Sequence, residues 1–201
     1  KINDLSLKSL VNIRIANYNT LRFGVEFNQY HFENSADINE IDQGMLKRKP
    51  AQWAMFIENK LQTGPLIVRP GIRFSQFYRR NWYYEPRVNI VLLLPADFKL
   101  KGGWGIYYQY VISMNINEVE MNQSVDYYFP LNLYQPSKSI HYVTGIEKRL
   151  NSRSVISLDI YYKDIERVYT FDINQTENEV LNLSEKLQLG KGEAYGAELM
   201  L

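Results

Sequence analysis

The chain has 201 residues, a formal net charge of +1 and no cysteine. That length can close one sizeable core, the near-neutral charge offers no field for nucleic acid, and disulfide frameworks, thiolate metal sites and cysteine nucleophiles are excluded. Sixteen tyrosines, nine phenylalanines and three tryptophans make up 14% of the residues, and tyrosine suits places that are apolar at one end and wet at the other. No apolar run is long enough for a transmembrane helix, and the residues from Lys1 onward do not read as a signal peptide.

Segments of alternating apolar and polar residues follow one another along the whole chain, which is the period of a β-strand. The first two run from about Asp4 to Ile15 and from Thr20 to Phe32, joined by ANYN. Gln52 to Gln62 and Leu66 to Phe77 flank TGP, Trp82 to Leu94 and Phe98 to Ile112 flank PAD, and Ile140 to Leu150 and Val155 to Arg167 flank NSRS. Ala194 to Leu201 closes the series of nine. Asn, Gly, Pro and Ser in these short links are turn chemistry. The links at the opposite ends are mostly long: Glu33 to Ala51, Ser113 to Ser139 and Tyr169 to Glu193, with Tyr78 to Asn81 the short exception.

The faces separate, with Ser9, Asn59 and Thr144 as mild exceptions on the apolar side. In the second segment Leu21, Phe23, Val25 and Phe27 oppose Arg22, Glu26 and Asn28. The fourth sets Leu66, Val68, Ile72 and Phe74 against Arg69, Arg73 and Ser75, and the fifth sets Val88, Ile90 and Leu92 against Glu85, Arg87 and Asn89. In the sixth, Leu100, Trp104, Ile106, Tyr108 and Tyr110 oppose Lys101, Tyr107 and Gln109. Lys148 stands on an apolar face beside a turn, where a long side chain can reach an interface.

A soluble sandwich shows the same alternation with its apolar face inward. Three features favour a membrane instead. Most segments exceed the roughly 9 to 11 residues of a tilted membrane crossing, and short and long links alternate as the short periplasmic turns and long outer loops of outer-membrane barrels do. Aromatic residues on the apolar face also gather toward the long-link ends: Trp53, Trp82, Tyr84, Tyr108, Tyr110, Tyr142, Tyr162 and Tyr195. Such a gathering is expected of a girdle at a membrane interface. The fold expected is therefore all-β, an antiparallel transmembrane β-barrel section of about nine strands.

The runs YYEPRVNIVLLLPADFKLKGGWGIYYQ (Tyr83 to Gln109), HYVTGIEKRL (His141 to Leu150), IYYKDIERVYTFD (Ile160 to Asp172) and GKGEAYGAELML (Gly190 to Leu201), in that order, resemble the barrel of TonB-dependent outer-membrane receptors. The resemblance implies a place in the outer membrane of a Gram-negative bacterium and active uptake of a scarce nutrient, whether a metal chelate, a vitamin or a glycan. The partners it implies are outer-membrane lipid, the receptor's own plug domain, the energy-coupling TonB protein and a small-molecule or oligosaccharide substrate. No cofactor is expected. Such barrels have about 22 strands around a plugged lumen, so residues 1–201 are expected to be one segment of the barrel domain, without the plug and without the terminal aromatic of a last strand.

Binding function in such a scaffold lies near its loops, and Tyr83, Tyr107 and Gln109, on the polar face near the long-link end, are the candidate substrate contacts. Chemistry elsewhere is thin. GKGEAYG leads into a strand and lacks the spacing of a phosphate loop. Lys47-Arg48-Lys49 reads as a solvated loop patch or a contact for anionic lipopolysaccharide or substrate. No metal site is expected of His31 and His141. Ser139 and His141 share a strand face and are the one visible start toward an outer-membrane barrel enzyme, although no catalytic residue is expected. A soluble carbohydrate-binding sheet, with the aromatics as stacking platforms, is the other alternative.

Overall fold

In the computed structural model, the residues described are 2–32, 49–78, 81–118, 123–131, 135–171 and 187–201. Among them the chain forms β1 (Ile2–Ala16), β2 (Asn19–Phe32), β3 (Ala51–Thr63), β4 (Leu66–Phe77), β5 (Trp82–Leu94), β6 (Phe98–Gln109), β7 (Val111–Glu118), β8 (Gln123–Pro130), β9 (Ser137–Arg149), β10 (Val155–Phe171) and β11 (Leu187–Met200). Nine of these make a single antiparallel sheet in the order β1-β2-β3-β4-β5-β6-β9-β10-β11. β7 and β8 form a separate two-stranded hairpin between β6 and β9.

The turns close as their residues dictate. Gly64 takes a left-handed φ of 56° between β3 and β4, which costs a glycine little. The Asn151 side chain accepts from the backbone N–H groups of Arg153 and Ser154, both at 2.8 Å, and so holds the β9–β10 turn.

The structure departs from the expected elements at three places. The long link from Ser113 to Ser139 contains most of β7 and all of β8, two eight-residue strands shorter than a tilted membrane crossing. The sixth strand stops at Gln109 because the chain bends at Tyr110, so Val111 and Ile112 belong to the hairpin. β10 and β11 reach farther into their connection than the alternation implied, to Phe171 and back to Leu187. Of the expected links Glu33 to Ala51 and Tyr169 to Glu193, residues 33–48 and 172–186 lie outside the described residues, Lys47 and Arg48 among them.

Register sets opposite charges across from one another. Lys8 faces Glu26, Arg73 faces Glu85 and Lys99 faces Glu147 across their strand pairs. Burial is the reverse of a soluble sheet. Glu85 is 5% exposed and Ser75 is fully buried, whereas Leu7, Trp53, Tyr84 and Leu199 on the other face stand open, Leu199 at 72%. A wide apolar surface left open in this way marks a partner or a membrane.

Gly24 shows how tightly the polar face is filled. A Cβ there would sit 2.6 Å from the backbone oxygen of Ser9 and 2.8 Å from the Phe56 ring, and the backbone cannot give way. Gly24→Ala should therefore destabilise the intact protein by about 1 to 3 kcal/mol in detergent urea unfolding. Gly102, whose added Cβ would meet nothing within 4 Å, is the control. Alanine there should shift stability by no more than about 0.5 kcal/mol, and equal costs at the two positions would contradict the packing described.

Candidate functional site

The polar face carries two charge networks. In the first, β1, β2, β4 and β5 contribute Lys8, Glu26, Arg73, Glu85 and Arg87. Lys8 lies 2.5 Å from Glu26, and the other Glu26 oxygen accepts from Arg73. Arg73 stands 3.7 Å from Glu85, and Arg87 meets the second Glu85 oxygen at 3.4 Å. In the second network, nearer the short turns, Lys99 and Lys101 meet Glu147 at 2.7 and 3.6 Å, and Lys101 also reaches Asp159 at 3.2 Å. Alternation brings each charge to this face, and the register makes the pairs.

Glu85 is the most enclosed of these groups, and it leads to the hairpin. Ser75 donates to Glu85 Oε1 at 2.5 Å, and the Ser75 and Tyr110 hydroxyl oxygens are 2.7 Å apart. A serine hydroxyl has one proton. With that proton on the carboxylate, Tyr110 is the donor to Ser75. Tyr110 lies beyond the end of β6, and burial raises its hydroxyl above the ordinary phenol range, which keeps the donated proton in place.

The rest of the Tyr110 ring is enclosed by aromatics. It stacks on Phe77 at 5.2 Å, and Tyr83 meets it edge-on at 5.9 Å. Its carbonyl accepts from Leu131 N at 2.8 Å, where the hairpin returns to the barrel. Leu131, at 2% exposure, and Ile112 are buried at the same root. The C-terminal end of β10 clasps the chain entering β9: Arg167 Nε donates to the Pro136 carbonyl at 2.8 Å, and the Tyr169 hydroxyl donates to the Gln135 carbonyl at 2.6 Å.

The expected substrate contacts fall in three different settings. Tyr107 packs on His141 at 4.4 Å with the Arg87 guanidinium 5.2 Å from its ring centre. Tyr83 leans on Tyr108 at 4.8 Å as well as on Tyr110. Gln109 is exposed, and its amide donates to the Val111 carbonyl at 2.8 Å. The structure thus places Tyr83 in the hairpin-root cluster, Tyr107 over the wall and Gln109 at the bend.

Of the eight aromatics assigned to a girdle, six stand on the exposed apolar face. Trp53 and Trp82 both face Gln76, and Phe27 closes on Trp53 at 4.5 Å. Tyr84 meets Phe74 edge-on at 5.3 Å. Tyr142, Tyr162 and Tyr195 form one row in register across β9, β10 and β11, and Trp104 extends it into β6. Tyr108 is half-buried between Tyr83 and Arg167. Tyr110 corrects the sequence expectation: it is buried among Phe77, Ser75 and Tyr83 on the polar side. The bend after Gln109 breaks the alternation that had put it with Tyr108. Alternation also gave no hint that Ser75 and Glu85 are the enclosed pair, since that depends on which ring covers them.

Ser139 and His141 do come together, with Oγ 2.9 Å from Nε2. The residue facing His141 across β10 is Lys163, not a carboxylate that would orient the ring as in a hydrolase triad.

An antiparallel sheet with one exposed apolar face and one paired, charged face is a section of a transmembrane β-barrel. The family described as TonB dependent receptor-like, beta-barrel matches residues 3–201, and the chain belongs to it. Solved structures share the fold at low identity. The siderophore receptor PirA from Pseudomonas aeruginosa aligns with a TM-score of 0.70 and 16% identity over 98% of this chain and 39% of that one. PirA from Acinetobacter baumannii aligns at 0.61 and 18% over 98% and 34%, and the FrpB iron transporter from Neisseria meningitidis at 0.64 and 11% over 98% and 33%. The chain thus spans well under half the length of these neighbours. No curated protein matches it.

The Ser75 bridge is open to test. Tyr110→Phe keeps the stack on Phe77 and removes one hydrogen bond, at an expected cost of about 0.5 to 1.5 kcal/mol. Ser75→Ala removes the hydroxyl donor to Glu85, which keeps Arg73 and Arg87, and leaves the buried Tyr110 hydroxyl without its acceptor, at an expected cost of about 1 to 3 kcal/mol. Urea unfolding of the intact protein in detergent, run as a double-mutant cycle, should show less than additive losses. Strict additivity would mean that the two hydroxyls do not interact.

Proposed function

We propose that this chain is a barrel section of a receptor in the outer membrane of a Gram-negative bacterium, and that the receptor takes up a scarce nutrient by energy-coupled transport. The observation that carries the proposal is the inverted burial: apolar side chains stand open on one face while charged ones are enclosed and paired on the other. A soluble carbohydrate-binding sheet has no use for the open face. A barrel enzyme needs more than the Ser139 and His141 pair. Among metal chelates, vitamins and glycans, a metal chelate is the first candidate cargo, since the structural neighbours are named as siderophore receptors and an iron transporter.

In this proposal residues 1–201 are one segment of the barrel domain. The plug and the segment that engages the TonB protein belong to the rest of the receptor. Trp53, Trp82, Tyr84, Tyr142, Tyr162 and Tyr195 sit at the level of the lipid headgroups, with Trp104 continuing their row. Tyr83, Tyr107 and Gln109 meet the cargo near the outer mouth, a reading that the place of Tyr83 at the hairpin root and of Gln109 at the bend supports.

Deleting the energy-coupling protein should abolish uptake by the full receptor and leave surface binding of its cargo intact. Uptake that continues unchanged would make a passive pore the better description.

The face assignment has its own test on β5, where Val88 and Asn89 point to opposite sides. With no native cysteine in the chain, Val88→Cys and Asn89→Cys can each carry one fluorophore in the full-length receptor. A lipid-borne quencher should act at position 88, and should leave position 89 bright. Lipid quenching at neither position would support a soluble sheet, and quenching at 89 alone would mean the faces are reversed.

A further inference from the structure

On the apolar face at the short-turn end, β6, β9, β10 and β11 enclose a groove of about 170 Å³. Phe98, Ile146, Ile156, Leu158 and Leu199 line it, and Lys148 stands at its rim. The register explains the shape. Phe98 and Ile156 flank Lys148 from either side, while Leu158 faces both Ile146 and Leu199.

Lys148 is the odd member of this surface. Its ammonium lies 4.5 Å from the centre of the Phe98 ring, which holds it over the groove. Lys99, Lys101 and Lys138 each meet a carboxylate. Among the described residues no carboxylate lies within ion-pair distance of Lys148. A fixed cation at one end of an otherwise apolar groove matches an amphiphile with a negative head and a hydrocarbon tail.

We propose that this groove is a binding site for one membrane phospholipid, its phosphate on Lys148 and the upper part of one acyl chain along Ile146, Leu158 and Leu199. The site presupposes the membrane assignment proposed above. Lys148 precedes the β9–β10 turn by two residues, which is the depth at which a headgroup meets a short-turn rim. The phosphate is drawn to the ammonium, and the tail covers side chains that would otherwise meet a mobile lipid shell.

The test is native mass spectrometry of the full-length receptor, stripped of lipid by detergent exchange and titrated with phosphatidylglycerol. The wild type should retain one phosphatidylglycerol. Lys148→Gln should weaken retention about fivefold, the worth of one basic side chain at a membrane surface, and Lys148→Arg should restore most of it. Leu158→Trp should fill the groove and remove the adduct with Lys148 still present. Equal retention by the wild type and Lys148→Gln, or equally tight retention of a diacylglycerol that lacks phosphate, would overturn the site. The label at position 88 separates the two levels. Lipid quenching there with a silent Lys148→Gln sinks the phospholipid site alone, whereas loss of that quenching removes the membrane assignment and this site with it.

Discussion

In hydrocarbon a backbone N–H or C=O finds no water, so every strand that crosses a bilayer has to bond along its length to a neighbour. The rest of this structure depends on that constraint. It is why β1 to β6 run as an unbroken antiparallel meander, and why β9 takes up pairing with β6 along Phe98 to Gln109 after the chain has left and returned. The β7–β8 hairpin can leave the sheet because its two strands satisfy each other.

Once the backbone is paired, side chains can only alternate, and each face has to suit its own surroundings. The apolar face needs no partners in lipid. The charged face does, because an enclosed charge without a counterion is costly. Glu26 is met from both sides by Lys8 and Arg73, and Glu85 is shared by Arg73, Arg87 and Ser75. These links tie strands together side by side in a direction that the backbone bonds already run, and so stiffen the wall of the barrel.

Stiffness of the wall has a consequence at the end that carries the hairpin. The hairpin root is fastened to the wall through Tyr110, whose hydroxyl reaches Ser75 and whose carbonyl holds Leu131. Phe77 and Tyr83 close around the same ring. The side chains around the hairpin root are therefore set by the wall beneath them, as groups on a rigid scaffold are.

Much of this was legible in the residues themselves. A period of two needs no tertiary knowledge, so the alternation of Leu66 to Phe77 and of Trp82 to Leu94 located two strands to the residue, and the Asn, Gly and Pro links located the turns. Long apolar faces rich in aromatics pointed to a membrane, and the order of four runs pointed to the family. Alternation fails where a strand bends. Tyr110 shares its parity with Tyr108, yet the chain turns between Gln109 and Val111, so the ring swings to the polar side and is buried there. The hairpin was hidden for a related reason, since β7 and β8 bond only to each other and, at eight residues each, are shorter than the runs that cross lipid. Which carboxylate is enclosed, and by which hydroxyls, follows from residues as far apart as Ser75 and Tyr110. Period and composition act within a few residues of chain, so they determined the strands and their faces; contacts between distant strands exist only after the sheet has closed its register, so the site was decided by the fold.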